Sequence, residues 1–297
     1  MKNLHIIYIP FTDVGVGTQF RDEEWLDYRA RIFFDYTLQS ILNQSKKDFI
    51  LWLSFTYRER ENPIVEDLLR SIERKGIRCI ATYNGLMYWD DKFGGNLWQK
   101  AKNIARVFRR CWRNKNWSEC LPLLRELRKN EQKNNTLYIR IAHALPSLFY
   151  GIPDYTAYDW VYLTRLDSDD MIHKDVVREI QEIPPEVGAI TMSKGFVYNV
   201  QTKQLAHWLP LTNPPFHTIV FPGEVFFDAR KHLAWYKDFQ SHEDIPRIFP
   251  NYYPMHNWRY CVLVHSGVNQ ISTNFNHPFR GYEIVAGKSG YLKDFGL

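Results

Sequence analysis

The feature that most restricts this chain is the alternation of strand-like and helix-like segments over its first 85 residues, joined by short connections. Leu4 to Phe11 is a β-rich apolar run, Tyr28 to Gln44 then places Phe34, Leu38, Ile41 and Leu42 at helical spacing, and Asp48 to Thr56 returns to strand. The next helix is well punctuated. Asn62 is suited to cap it, Pro63 to its first turn, Ile64, Leu68 and Ile72 follow one face, and Lys75-Gly76 closes it. Ile77 to Tyr83 is a third strand. Parallel strands need crossover connections, and this alternation supplies them, so the expected class is α/β with a mostly parallel sheet flanked by helices.

The rhythm breaks at residues 98–133, where eleven Lys or Arg stand against three Glu and are interleaved with Trp98, Phe108, Trp112 and Trp117. The whole chain carries a formal charge of +5, so this block holds all of the basic excess and leaves the remainder net acidic. It reads as a basic helical insertion, either a solvated helix face or an amphipathic surface for anionic lipid. Nucleic acid is disfavoured as a partner, because no recognised nucleic-acid motif accompanies the charge.

Alternation resumes at Trp160 to Leu166, followed by Asp167-Ser168-Asp169-Asp170, a helix containing Val176, Val177 and Ile180, and a strand from Val187 to Met192. Gly195 to Leu209 has the pattern of a hairpin around Asn199 to Gln204. Beyond Pro210 the chain is rich in Pro, Asn and aromatics, and seven of its ten histidines lie from His207 onward, which suggests a loop-rich part covering a site.

A hydrophobic content of 45% with 24% charged residues excludes disordered, collagenous and disulfide-scaffold classes. Cys79, Cys111, Cys120 and Cys261 match neither a zinc ribbon nor a redox pair and read as free thiols in a reducing compartment. No run approaches the roughly 18 apolar residues that span a bilayer, so the expected location is cytoplasmic, with peripheral attachment at the inner face of a membrane through 98–133 as the variant. No phosphate-cradling glycine loop follows the first strand and no nucleophile elbow occurs, which disfavours P-loop, dinucleotide-binding and hydrolase readings.

Three aspartates in four residues directly after an apolar strand carry the most chemistry. In open parallel sheets ligands gather beyond the carboxyl ends of the strands, where this cluster falls. Adjacent carboxylates repel one another unless a cation sits between them, and Asp oxygens suit Mg²⁺ or Mn²⁺ completed by substrate phosphates and water. The alternative is that Asp169 or Asp170 caps a helix starting near Met171. Arg165, two residues upstream of the cluster, is placed to pair with phosphate or carboxylate. His242-Glu243-Asp244 is a second acidic feature, in which a carboxylate could take a proton from a hydroxyl or simply lie on the surface. His256 and His265 flank the apolar run Tyr260 to Val264. His265 is favoured as a metal ligand, because the Ser-Gly after it allows a tight loop.

The stretch Tyr162-Leu163-Thr164-Arg165-Leu166-Asp167-Ser168-Asp169-Asp170 resembles the T-R-L-D-x-D-D signature of the rhamnosyltransferase family, a branch of the GT-A-type glycosyltransferases. Trp25 to Arg29, and Tyr36 to Ser45 through Asp48-Phe49, are similar to its W-x-x-x-R and Y-T-L-x-S-x-x-x-Q-x-x-x-x-F patterns; Asn213 to Phe216 and His265 to Asn269 match more weakly. The resemblance implies one GT-A-like domain over 1–297, with 195–297 on the acceptor side. It implies a metal-dependent, inverting, hexosyl-type transfer from a nucleotide-sugar donor to a hydroxyl of a glycan or glycolipid, as in polysaccharide biosynthesis. Asp167 and Asp169 would be the D-x-D pair holding Mn²⁺ or Mg²⁺ and the donor, Asp170 would support them, Asp244 or Glu243 would be the base, and His265 a further metal or phosphate contact. The strand ends at Pro10, Thr12 and Asp13, at Phe55 and at Asn84 would surround the nucleotide base. Ser54-Phe55-Thr56 stands where many GT-A enzymes carry a base-binding aspartate, so the base is not assigned. The competing functions are a sugar nucleotidyltransferase, whose acids would likewise hold Mg²⁺, and a non-catalytic carbohydrate or membrane-surface binding protein on the same scaffold.

Overall fold

The computed structural model describes residues 2–12, 23–56, 59–85, 136–210, 214–235, 242–265, 283–285 and 289–297, with scattered positions between 101 and 124. Asp13, Asn213, residues 266–269 and most of 98–133, all singled out above, lie outside the described residues.

Alternate residues of the first strands are apolar on both sides, which is the pattern of a sheet covered on both faces. In β1 (Asn3–Pro10) Ile7 and Ile9 face one core while Leu4, Ile6 and Tyr8 face another. Leu51, Leu53 and Phe55 of β2 (Ile50–Thr56) join the first core, and Ile50 and Trp52 join the second. Parallel pairing runs from β3 (Cys79–Gly85) through β2 and β1 to β4 (Trp160–Arg165). Beyond β4 the pairing becomes antiparallel, through β8 (His217–Pro222), β6 (Ala189–Asn199), β7 (Gln204–Trp208) and β10 (Glu283–Ile284). The strand β9 (Tyr253–Val264) lies parallel to β6, and the two-residue β5 (Met171–Ile172) pairs with β9. The α/β class expected from the sequence is observed. The part beyond Pro210 carries more strand than its composition suggests, because β9 is twelve residues long.

The first core lies under α1 (Glu23–Ile32), a π turn (Phe33–Thr37), α2 (Leu38–Leu42), α3 (Pro63–Arg74) and α5 (Val176–Glu182). Asn62 caps α3 as expected, its side-chain oxygen accepting the Ile64 amide at 2.9 Å, and Val65, Leu68 and Ile72 are the buried stripe. The second core lies under α4 (Thr136–Tyr150), an element with no counterpart in the sequence expectation, through Ile141, Ala144, Leu145 and Leu148. The hairpin is observed between β6 and β7, where Asn199 Oδ1 accepts the amides of Gln201 and Thr202 at 2.9 Å. Cys79 and Cys261 are free thiols, as expected. No helix among the described residues is long and apolar enough to cross a membrane.

A buried polar thread crosses three strands: His5 Nε2 lies 2.7 Å from Thr164 Oγ1, which lies 2.6 Å from Thr218 Oγ1. Burial draws His5, His217 and His232 down to about 3, so these imidazoles are neutral in the fold. In the unfolded chain they titrate near 6.5, so the unfolded state binds more protons as pH falls below that value. The stability contributed by these three histidines is therefore fully present above about pH 6.5 and is lost progressively toward pH 3, and they add about three protons to the uptake on unfolding near pH 4.5. Denaturant titrations at several pH values test this; His5→Gln should flatten the slope by about one proton.

Gly223 fixes how the helix after β8 leaves the sheet. Its amide donates to Asp159 O at 2.7 Å, and a Cβ there would stand 1.9 Å from the carbonyl oxygen of Tyr158. The obstacle is backbone and cannot rotate away. Gly223→Ala is expected to cost about 3 kcal/mol in urea unfolding.

Candidate functional site

The acid cluster emerges from the carboxyl end of β4, which lies beside β1 in the parallel half of the sheet. Leu166 N donates to Tyr8 O at 3.0 Å, so the chain still follows β1 as it leaves the sheet. Neither Asp169 nor Asp170 caps a helix: Met171 and Ile172 form β5, and the next helix begins only at Val176. The capping alternative is thereby removed for both residues.

The helix Glu23–Leu42 holds this loop from the side. Thr37 Oγ1 donates to Ser168 O at 3.2 Å, and Ser40 Oγ accepts the Ile172 amide at 3.3 Å. Gln44 Nε2 donates to His173 O at 2.9 Å while its Oε1 accepts the Val177 amide at 3.1 Å. These are the T, S and Q of the Y-T-L-x-S-x-x-x-Q stretch, and their spacing of three and four residues puts them on one helix face. Their physical role is to satisfy and fix the backbone of the acid loop.

Each aspartate has a different environment. Asp167 is half-buried and accepts a hydrogen bond from Arg165 Nη2 at 3.0 Å. Asp169 pairs with Arg29, and its Oδ2 lies 3.0 Å from His265 Nε2. Burial opposes ionisation of Asp169, but the Arg29 guanidinium and the hydrogen bond from His265 outweigh it and hold the carboxyl at about 2. Asp170 is buried, and its Oδ1 accepts the Leu263 amide at 3.0 Å, which ties the loop to β9. Burial first, then the charges of Asp169 and Asp167, push the Asp170 carboxyl well above the usual carboxylate range. Asp169 is thus held in its charged form, and Asp170 is the anchor that ties the loop to β9.

Arg29 is held over the ring of Trp25, 5.3 Å from its centroid, which gives the W-x-x-x-R spacing its reason: one helical turn brings the cation onto the indole face. His265 is buried, with its ring 5.5 Å from that of Tyr28. His256, the other candidate histidine, is exposed and lies 3.5 Å from Ser193 Oγ. The structure therefore separates the two, with His265 at the acid cluster.

Among the described residues, no group of three or more His, Cys, Asp and Glu side chains is gathered to hold a metal ion. Two donors do converge. Asp169 Oδ2 and His265 Nε2, 3.0 Å apart, are hydrogen-bonded to each other here, with Arg29 on the same carboxylate oxygen. This mixed oxygen and nitrogen pair suits a cation that takes its remaining ligands from phosphate and water.

The turn His242–Asp244 lies near the same acids. The half-buried His242 is lowered by burial and by Arg165, against the opposing pull of Glu243, Asp167 and Asp244, so it feels both members of the Arg165–Asp167 pair. Asp244 is half-buried and accepts from Arg247 Nη2 at 3.1 Å, whereas Glu243 is exposed. His217 is in register with Arg165 across β8 and β4, and its Nδ1 lies 2.8 Å from Pro215 O.

At the strand ends expected to surround a base, Pro10 closes β1 in register with Ser54, and Thr12 Oγ1 donates to Glu59 Oε2 at 3.2 Å. Phe55 is a core residue instead: it is fully buried between Phe11 at 5.1 Å and Tyr83 at 5.7 Å, because an aromatic at that alternate position joins the core under α3. Asn84 lies in β3, and its side chain is outside the described set. The expectation assigned no role to Arg29, Glu59 or His217. Glu59 puts a buried carboxylate near the end of β2, five residues beyond Ser54, where no aspartate was found.

No family model matches the chain, so membership of the rhamnosyltransferase family is not shown, and no curated protein matches it either. Among solved structures, S. aureus TarS 1-349 in complex with UDP is similar at a TM-score of 0.38 and 10% identity, covering 89% of this chain and 61% of that one. S. aureus TarS 1-349 gives 0.38 and 9%, with 88% and 60% covered, and S. aureus TarS gives 0.37 and 10%, with 88% and 37% covered. This chain spans about three fifths of the first two and little over a third of the last. A likeness of this degree assigns neither a family nor an activity to the chain.

The Arg29–Asp169 pair is mostly buried, so removing one member leaves an uncompensated charge. Arg29→Ala is expected to cost about 3 kcal/mol and to raise the Asp169 titration. The double variant Arg29→Ala/Asp169→Ala should cost less than the sum of the two singles in a denaturation cycle.

Proposed function

We propose that the chain is a metal-dependent, inverting glycosyltransferase of hexosyl type that moves a sugar from a nucleotide-diphosphate donor to a hydroxyl of a glycan or glycolipid. The observation that carries this reading is the pairing of Asp169 with Arg29 and His265, next to the Arg165–Asp167 pair, just beyond the carboxyl end of β4. Neighbouring carboxylates, each paired with an arginine, suit a ligand that is an anion bridged by a cation: a diphosphate with Mn²⁺ or Mg²⁺.

Asp169 and His265 would hold the cation, which when bound supplies Lewis-acid neutralisation of the departing nucleoside diphosphate. Asp167 would orient the donor ribose or sugar, with Arg165 fixing its carboxylate. Arg29 neutralises Asp169 until a donor arrives and then offers its positive charge to the diphosphate. Asp244, half-buried and near His242, is the better placed carboxylate to take the acceptor proton; the exposed Glu243 is the less desolvated neighbour. Attack on the sugar face opposite the leaving diphosphate would invert the anomeric centre.

The test is nucleoside diphosphate release from a panel of nucleotide sugars with Mn²⁺, preceded by a thermal-shift screen for the preferred base. Asp169→Asn should lower turnover by about 10²- to 10³-fold while the fold is retained, the scale on which one electrostatic contact to the transition state acts. Asp244→Asn should lose transfer but keep donor binding. Full activity of Asp169→Asn would overturn the site, and release of pyrophosphate instead would show a nucleotidyltransferase. Sugar binding that needs no Mn²⁺ and gives no turnover would show a binding protein.

A further inference from the structure

The basic segment 98–133 is not used by the chemistry above, and its described side chains show an order that the sequence alone left open. Positions 104, 105, 107, 108, 109, 111 and 112 are helical. Val107 and Cys111, four residues apart, are buried and pack with Cys120 and Leu124. Ile104, Phe108 and Trp112 repeat at the same interval one step around the helix, with exposures of 41%, 45% and 74%. The segment therefore has a small core of its own and, beside it, a second apolar stripe turned outward. Trp117, 53% exposed and edge-on to Trp112 at 6.3 Å, and Leu121, 64% exposed, add to the outward apolar surface. Arg109, next in sequence to Phe108, is exposed, and Lys102, Arg106, Arg110 and Arg113 alternate in sequence with the stripe.

We propose that the segment carrying Ile104, Phe108, Trp112, Trp117 and Leu121 docks on an anionic lipid bilayer, the Ile104–Phe108–Trp112 stripe entering the headgroup boundary while Arg109 and the other cations of this basic sequence meet lipid phosphates. Two terms support this occupant. Exposed apolar and aromatic side chains on one helix face insert shallowly into a bilayer, with Trp favoured at that depth. The eleven cations against three acids in 98–133 are complementary to an anionic leaflet and would be repelled from a basic partner. The aliphatic Ile104 and Leu121 offer no stacking face to a nucleobase, which disfavours single-stranded nucleic acid. A second copy of this chain would bring the same positive charge to the interface and is disfavoured by repulsion. This inference does not rest on the sugar-transfer reading.

The experiment is flotation of the full chain with phosphatidylcholine vesicles with and without phosphatidylserine, read together with tryptophan emission. Binding is expected only with phosphatidylserine, with a blue shift and with loss at high salt. Replacing Arg106, Arg109, Arg110 and Arg113 by Gln should weaken it by more than about a hundredfold, since each cation near such a surface contributes about fivefold. Phe108→Ser/Trp112→Ser, both at exposed positions, should abolish the blue shift while circular dichroism and the thermal unfolding midpoint stay unchanged. Equal binding by the Phe108→Ser/Trp112→Ser variant, or equal binding to phosphatidylcholine alone, overturns the proposal. So does a dimer by light scattering that the same variant dissolves, or binding of RNA in preference to anionic vesicles.

Discussion

Thr37 grips the loop between β4 and β5 through Ser168 O, while Ser40 and Gln44 hold β5 and the segment directly after it. A backbone carrying three carboxylates in four residues tends to splay outward into water, because solvent stabilises the charges and repulsion separates them. Here four hydrogen bonds from one helix face, together with the Leu263 amide on Asp170, hold it against the sheet instead. Asp167, Asp169 and His265 owe their mutual positions to that grip. Phe33, Leu38 and Ile41 on the same helix are buried in the core, so the grip is anchored by apolar packing.

Charge in the cluster is arranged so that no carboxylate is both buried and uncompensated. Asp169 has a guanidinium and an imidazole, Asp167 has a guanidinium, and Asp170 favours its neutral form. Buried ion pairs contribute little net stability compared with apolar packing, whereas breaking one leaves an uncompensated charge. Arg165, in register with the neutral His217 of the neighbouring strand, extends the positive side of this arrangement toward the turn His242–Asp244.

The parallel half of the sheet was legible because its signals are local: apolar runs, a capped and proline-led α3, and a glycine at the end of that helix. The acid cluster was legible because its charge density is improbable without a partner. Other features depend on contacts that sequence distance hides. The role of Arg29 is set by a residue 140 positions away, and that of Glu59 by a hydrogen bond from Thr12 across the strand ends. The parallel pairing of β9 with β6 has no marker in either strand, and α4 carries in its interior Pro146, a residue type that disfavours a helix. The burial of Phe55 was not legible, because a strand end near a site and a core position look alike in sequence.

The π turn Phe33–Thr37 accommodates one surplus residue within an otherwise continuous helix. In an unbroken α-helix Arg29 and Thr37 would be out of phase by roughly 80°; the wider turn brings them toward a common side. The helix is thereby geared in two stages: Ser40 and Gln44 hold β5 and the segment after it, while the rotation of Glu23–Ile32 about its own axis sets where Arg29 points. Sliding the surplus residue along the helix would swing the guanidinium off Asp169 and leave the lower attachments untouched, so the cation over the acids and the scaffold beneath them are mechanically separable.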